Sequence, residues 1–228
     1  MIELFQITKI FNMGKANAFI ALREIDLRVH MGCVTVFKGP SGSGKTTLLS
    51  IIGCMSRPTS GRITVDNRET TSLPERFAAR VRRDTFGFVF QNYNLIKGIS
   101  VLENIMIPAY PTGRKHATVK RRAKELLRRL NMETKSNERV ETLSGGEQQR
   151  VAISRALINN PSIIIADEPT AHLDTDLSRQ FMEIMINLKE NGKTILIASH
   201  DQLVSNYGGV DYNVGLRDGE IVEERTGQ

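Results

Sequence analysis

The chain has no tryptophan, only two cysteines among 228 residues, and just 6% aromatic residues. Two cysteines, Cys33 and Cys54, are too few for a four-ligand zinc site or a disulfide framework, which excludes zinc-module proteins and stapled secreted domains. Both are expected to act as small buried hydrophobes. No stretch approaches the roughly 18 consecutive apolar residues that a spanning helix needs. The opening "MIELFQITKI" has neither a basic leader nor a long apolar run, so a secretory signal is not expected and a cytosolic chain is. Internal repeats, low-complexity tracts and long linkers are missing as well.

Apolar residues make up 40% and charged residues 25% of the chain, the balance of an ordinary globular protein, and the length allows one large domain or two small ones. The net charge of +6 is local rather than general. Eight basic residues (Arg114, Lys115, Lys120, Arg121, Arg122, Lys124, Arg128, Arg129) face a single acid, Glu125, between positions 114 and 129, and the rest of the chain is close to neutral. "KRRAKELLRRL" also carries an apolar stripe at Ala123, Leu126, Leu127 and Leu130, which predicts an amphipathic helix with one packed and one basic face. That basic face reads either as a solvated surface or as a contact for acidic lipid headgroups or an acidic partner; nucleic acid is not expected.

Strand signals with period two or continuous apolar character occur at "IELFQIT", "ALREIDLRV", "GCVTVFKG", "SGRITVDN" and "TFGFVF". Helices are expected over "KTTLLSIIGCM", ending before Pro58, and over "LPERFAARVRRD". From about residue 92 to 157 the pattern is mostly helical, broken at Pro108 and Pro111 and without a convincing strand. Then follow strand "SIIIAD", helix "DLSRQFMEIMINLKEN", strand "KTILIAS" and two short strands joined by the Asp218-Gly219 turn. Strand and helix alternate at both ends around a helical insert, which predicts an α/β protein with a parallel-sheet core interrupted by a helical subdomain.

Residues Gly39-Pro40-Ser41-Gly42-Ser43-Gly44-Lys45-Thr46 fit G-x-x-x-x-G-K-[ST] directly between an apolar strand and a helix. The glycines let successive backbone N–H groups converge on phosphate oxygens, and the helix N-terminus adds its positive dipole end. Lys45 is suited to the β- and γ-phosphates and the Thr46 hydroxyl to Mg²⁺. "SIIIADEP" is a strand buried on both faces that delivers Asp167 and Glu168 to its carboxyl end, where α/β sheets put their sites. Asp167 is suited to hold the metal and Glu168 to polarise the water that attacks the γ-phosphate. Gln91 follows "FGFVF" and reads either as a loop residue or as a contact to metal or water; His200 follows "TILIAS", where a catalytic and a structural role both fit. "ETLSGGEQQR" at 141–150 is a second small glycine loop entering a helix, sensible as a plain cap.

Together these motifs resemble the nucleotide-binding subunit of an ABC transporter, over essentially the whole chain, and "LSGGEQQR" is what separates that family from other P-loop ATPases. The resemblance implies a P-loop NTPase (RecA-like) core over 1–91 and 158–228 with an N-terminal antiparallel β subdomain, and a helical subdomain over 92–157 carrying the signature. It implies ATP and Mg²⁺ as cofactors, held by the P-loop from Gly39 to Thr47. It also implies a homodimer around two ATP, in which Ser144, Gly145 and Gly146 of one chain meet the γ-phosphate on the other chain's P-loop. Gln91 then falls at the Q-loop, where it joins Thr46 and Asp167 near the metal, and His200 falls on the switch histidine. "AHLD" at 171–174 occupies the D-loop, with an unusual His172, and Phe11 stands where the adenine-stacking aromatic is often tyrosine. The partner implied is an integral membrane permease, which brings the protein to the inner face of the cell membrane. "FNMGKANAFIALREIDL", "RPTSGRITVDN" and "FGFVFQNYNLIKGISVLENI" are similar to lipoprotein-releasing and macrolide or antimicrobial-peptide exporter ATPases. The cell-division ATPase of that group is the near alternative. An ATPase acting on the ribosome or DNA is the distant one, since this chain has one P-loop, no zinc module and only about a hundred residues between P-loop and signature. The regulatory domain of sugar-importer ATPases is not expected after "LRDGEIVEE".

Overall fold

The computed structural model describes residues 1–226. Two sheets share one hydrophobic layer. The first is antiparallel, built from β1 (Ile2–Phe11), β2 (Phe19–Val29), β4 (Ser60–Val65) and the two-residue edge β5 (Arg68–Glu69) in the order β2-β1-β4-β5. The second holds β3 (Val34–Lys38), β6 (Phe86–Val89), β7 (Ile163–Asp167), β8 (Thr194–Ser199), β9 (Tyr212–Arg217) and β10 (Glu220–Thr226) in the order β10-β9-β3-β8-β7-β6. All its pairings are parallel except the closing hairpin β9–β10. This is the P-loop NTPase arrangement expected from the sequence, an α/β core with an antiparallel β layer at its side.

The continuous apolar strands lie where sheets are covered on both faces. Ile163, Ile164 and Ile165 of β7 and Ile195, Leu196 and Ile197 of β8 are all buried, and each such side chain contributes about 1.5–3 kcal/mol. Alternate residues of these strands point into two different clusters. Ile164, Ile195 and Ile197 pack with the helical region, while Ile163, Ile165 and Leu196 pack with β1, β2 and α1 (Lys45–Ile52). Period two in the sequence thus becomes a two-sided core.

Several expectations are sharpened by the structure. The first helix stops at Ile52 rather than running through Met55, because Cys54 turns left-handed at φ +57; the cap residue Gly53 is packed so close to Phe88 that a Cβ there would lie 2.6 Å from the ring. The insert contains α3 (Val101–Met106), α4 (His116–Arg129) and α5 (Gly145–Leu157), and Pro108 and Pro111 fall in a 3₁₀ segment over Ile107–Thr112, where the α-helix cannot continue. Helix α4 buries Val119, Ala123, Leu126 and Leu127 and leaves most of its basic residues outward. The helix α2 (Glu75–Thr85) precedes β6, the helix α6 (Thr175–Glu190) precedes β8, and a four-residue α7 (Gln202–Ser205) follows β8. Cys33 and Cys54 are half-buried rather than enclosed: Cys33 sits just before β3, and Cys54 sits in the turn that ends α1.

Candidate functional site

Strand β3 ends at Lys38 and α1 begins at Lys45, so the glycine loop is the only chain between them. Gly39 passes so near β9 that a Cβ would lie 2.2 Å from the Leu216 carbonyl oxygen, and Gly44 turns at φ +104 with the Ala21 carbonyl 2.7 Å from the place a Cβ would take. Both positions therefore need glycine. The loop borders a cleft of about 460 Å³ lined by Pro40 through Thr47, by Gln91, Glu168 and His200, and by Phe11 and Phe19. Four separate strand ends and loops thus bring the expected residues to one place.

Inside that cleft Lys45 is buried to 5% exposure. Its Nζ donates to the carbonyls of Gly39 (2.7 Å) and Pro40 (3.1 Å) and lies 3.3 Å from Glu168 Oε1. The other Glu168 oxygen, Oε2, lies 2.9 Å from His200 Nδ1. Glu168 holds a left-handed backbone, φ +46, an uncommon conformation for a residue with a Cβ. A hydrogen bond from its N–H to Ala198 O of β8 at 2.9 Å fixes that bend. The carboxylate is thereby turned back over the P-loop, between a lysine and a histidine that stands half out in solvent.

Asp167 sits one residue earlier at the end of β7, where its Oδ1 accepts from Thr46 Oγ1 at 2.9 Å. Burial holds its carboxyl above the ordinary range; the Thr46 hydrogen bond opposes this and Glu168 adds to it. The paired oxygens of Thr46 and Asp167 are suited to a hard divalent cation that keeps most of its waters. Ser43 Oγ, lining the same cleft, is buried and has no hydrogen-bond partner, the condition expected of a group waiting for a ligand oxygen. Phe11 and Phe19 stack with centroids 5.2 Å apart at the far end, and Lys9 Nζ lies 5.0 Å above the Phe11 ring.

Ser144, Gly145 and Gly146 are not in this cleft. Ser144 caps α5: its hydroxyl accepts from the Glu147 N–H, and the Glu147 carboxylate accepts from the Ser144 N–H at 2.8 Å, a full capping box. Ser144 and Gly145 are exposed, whereas Gly146 packs so closely on α6 that a Cβ would lie 2.8 Å from Leu177 Cδ2. Ser144 and Gly145 therefore face outward at the capped N-terminus of α5.

Three residues outside the expected site set also tie the site together. Phe19, which precedes the strand expected over "ALREIDLRV", forms a second ring on the cleft wall. Gln149 is buried, and its amide donates to Pro169 O at 2.8 Å, joining the signature helix to the loop after Glu168. Arg155, at the other end of α5, donates to the carbonyls of Tyr93 and Asn94 just beyond Gln91. A glutamine inside "GGEQQR" and an arginine followed by apolar residues carry no signal of such contacts, because their partners are distant in sequence.

The fold and this cleft define a nucleotide-binding protein of the P-loop class. The chain belongs to the ABC transporter family, whose model, described as ABC transporter, matches residues 22–171. It is 41% identical over 98% of its length to the uncharacterized ABC transporter ATP-binding protein MJ0796 of Methanocaldococcus jannaschii, covering 96% of that protein. The dimeric structure of that cassette in a post-hydrolysis state, bound to ADP and Pi, superposes with a TM-score of 0.91 at 39% identity and covers 100% of this chain and 99% of the other. Similarity extends to a macrolide export ATP-binding/permease protein of Rhodopseudomonas palustris, 42% identical over 98% of this chain. A probable syringafactin export ATP-binding/permease protein of Pseudomonas syringae is 40% identical over 99% of it. The chain spans about a third, 34%, of the length of those two export proteins. Among the described residues no helix is long and apolar enough to cross a membrane.

Proposed function

We propose that the chain is the ATP-hydrolysing subunit of an export system, working as a homodimer that closes around two ATP and drives a separate membrane permease. The observation that carries this reading is the Glu168 carboxylate, held over the P-loop between Lys45 at 3.3 Å and His200 at 2.9 Å. A carboxylate so placed takes a proton from water as that water attacks a γ-phosphate, and His200 orients the carboxylate edge that faces solvent. Lys45 passes from Glu168 to the phosphates when ATP enters, and the P-loop N–H groups with Ser43 receive the remaining oxygens. Thr46 and Asp167, with Gln91 at the mouth, would hold Mg²⁺, which neutralises phosphate charge when bound. Phe11 and Phe19 offer ring faces to the adenine.

The outward Ser144-Gly145 turn, backed by the buried Gly146, has no phosphate of its own to serve, so it serves the partner's. The resemblance to exporter cassettes points to extrusion, with the cargo chosen by the permease. A groove of about 790 Å³ beside the Gln91 loop, lined by Arg80, Phe86, Phe90, Asn94, Pro108 and Arg155 among others, is suited to a cytoplasmic segment of that permease. The protein would then sit on the inner face of the cell membrane through its partner.

The test mixes two chains, both carrying Glu168→Gln to block hydrolysis, one with Lys45→Ala and the other with Ser144→Arg. Each homodimer has two damaged sites. In the mixed dimer both lesions fall on one composite site and the second is intact, so ATP-dependent dimers that trap about one nucleotide per pair are expected. A control mixes the Lys45→Ala chain with an otherwise intact Glu168→Gln chain. Dimers in the control and none in the test mixture would refute the two-chain reading.

A further inference from the structure

A second cleft, of about 570 Å³, lies between α4, the end of α5 and α6 and shares no lining residue with the P-loop cleft. Its rim carries three cations, Arg122 and Arg129 from α4 and Lys193 from the turn before β8. Glu183 is the one acid lining it, so the cleft holds a net charge of about +2. Among the described residues Arg129 and Lys193 have no acidic group within ion-pair distance, and Arg122 meets only Glu125, at 3.8 Å on its own helix. No ion pair joins α4 to α6 or to the turn that carries Lys193, although their side chains share the cleft.

Two of these three cations are drawn back from open surface. Arg122 and Lys193 are half-buried, and both are held below their ordinary basicity, first by burial and then by a neighbouring cation, Arg129 for the one and Arg122 for the other. Like charges drawn together against apolar side chains cost free energy unless an anion offsets them. The amides of Asn160 and Asn187 line the same space, and Lys193 Nζ is aligned by donating to Asn160 Oδ1 at 2.8 Å. The floor is apolar, from Leu126, Leu157, Ile184 and Leu188.

We infer that this cleft binds a phosphomonoester carried on an apolar body, with Arg122, Arg129 and Lys193 on the phosphate and the leucine floor under the rest of the ligand. A phosphomonoester carries a charge of about −2 and three acceptor oxygens at neutral pH, which matches the net charge and the three cationic donors of the cleft; a single carboxylate offers half of that charge. Because the two walls belong to α4 and to the α6–β8 corner, the bound anion links the helical insert to the core. Two sources fit this chemistry, a soluble phosphorylated metabolite and a phosphatidic-acid headgroup.

The probes are phenyl phosphate in solution and vesicles of phosphatidylcholine with or without phosphatidic acid. The readout is the side-chain Nε–Hε resonances of Arg122 and Arg129, assigned with Arg122→Lys and Arg129→Lys. The P-loop cleft contains no arginine, so phosphate bound there leaves these signals unmoved. Saturable shifts with phenyl phosphate are expected, weakened about tenfold in Lys193→Gln through loss of one charge-assisted hydrogen bond. The exposed Arg129→Gln should weaken binding in the same direction with its amide spectrum otherwise preserved. Shifts with phosphatidic-acid vesicles but not with phenyl phosphate assign the ligand to the membrane, and the reverse assigns it to the soluble pool. The inference is overturned by no response to either probe, by a Lys193→Gln titration equal to the parent's, or by a glutamate-rich peptide moving the resonances while both phosphate probes fail.

Discussion

Replacing Glu168 by glutamine keeps the shape of the side chain and removes one negative charge between Lys45 and His200. Positioned general bases contribute 10²–10⁴-fold, so turnover should fall by about that factor, or roughly 3–5 kcal/mol in the barrier. Binding should move the other way. At 3.3 Å the Lys45–Glu168 pair has about 5 kcal/mol of gross Coulomb attraction with an effective dielectric constant near 20. Most of that is cancelled by desolvation of both groups, and the ammonium keeps its bonds to Gly39 O and Pro40 O. About 1 kcal/mol of net pairing then competes with phosphate for Lys45, so the variant should bind ATP about fivefold more tightly. The chain has no tryptophan, so a fluorescent nucleotide displaced by ATP serves as the reporter. Single-turnover hydrolysis gives the rate, and gel filtration with ATP should show the variant accumulating as a dimer. Hydrolysis within about threefold of the parent would remove Glu168 from the catalytic role. Weaker ATP binding at unchanged fold would show that the carboxylate helps hold nucleotide instead of competing for the lysine.

Phe19→Ala should weaken ATP binding about fivefold, since one aromatic contact contributes about 0.5–1.5 kcal/mol, and should leave triphosphate binding unchanged; equal loss for both ligands would deny Phe19 a role at the base. Gly39→Ala forces a Cβ to 2.2 Å from Leu216 O, so the loop must shift: nucleotide binding should be lost and the thermal midpoint lowered by several degrees, about 2 kcal/mol. The raised native carboxyl of Asp167 binds a proton that the unfolded chain, near about 3.9, has already released. Between those two values stability must therefore fall as pH rises. Glu147 and Glu103 act oppositely, since capping hydrogen bonds lower them and their contribution is lost as pH falls. The Asp167 effect is isolated by comparing melting curves of the parent and Asp167→Asn over that acid window without divalent cations, where the variant should show the smaller loss toward higher pH.

The parts of the site that were legible in the sequence are those whose geometry is local. Gly39, Gly44 and Lys45 lie within one strand–loop–helix unit, so spacing alone implied the phosphate cradle. Asp167, Glu168 and His200 could be placed together because continuous apolar strands announce a buried parallel sheet, and the residues just past such strands gather at one edge. The register confirms the economy of that inference: Asp167 lies opposite Ala198, so Glu168 and His200 emerge beside each other. Contacts between elements far apart in sequence left no such trace. Gln149 reaches Pro169, Arg155 reaches the carbonyls after Gln91, and Phe19 meets Phe11 only because β1 and β2 pair with several register shifts along their length. The two-residue strand β5 is too short to show any period, and Cys54 was expected to be buried because an apolar context says nothing of a turn at φ +57.

The capping box at Ser144 shows how one residue can satisfy two demands. Within its own chain the Ser144 hydroxyl receives the Glu147 N–H, and the Glu147 carboxylate closes back on the Ser144 N–H and hydroxyl, at 2.8 and 3.0 Å. Such a cap contributes about 1 kcal/mol and holds the first turn of α5 rigid. Gly145 and Gly146 follow with no Cβ, one facing solvent and the other pressed on Leu177, so the Ser144 hydroxyl and the Glu147 carboxylate are the side-chain groups that sit on the first turn. In the proposed dimer this capped turn, with its dipole end, is the face offered to the partner's phosphate. At the other side of the same helix, Gln149 and Arg155 fasten α5 to the Glu168 loop and to the Gln91 loop. Under the proposed function, a phosphate that presses on Ser144 acts on a rod bonded at two further points to the loops that follow Glu168 and Gln91. If Gln149→Leu leaves the isolated chain's ATP binding intact but lowers cooperative hydrolysis in the dimer, that rod is the route by which one site senses the other; an unchanged dependence of rate on ATP concentration would sever it.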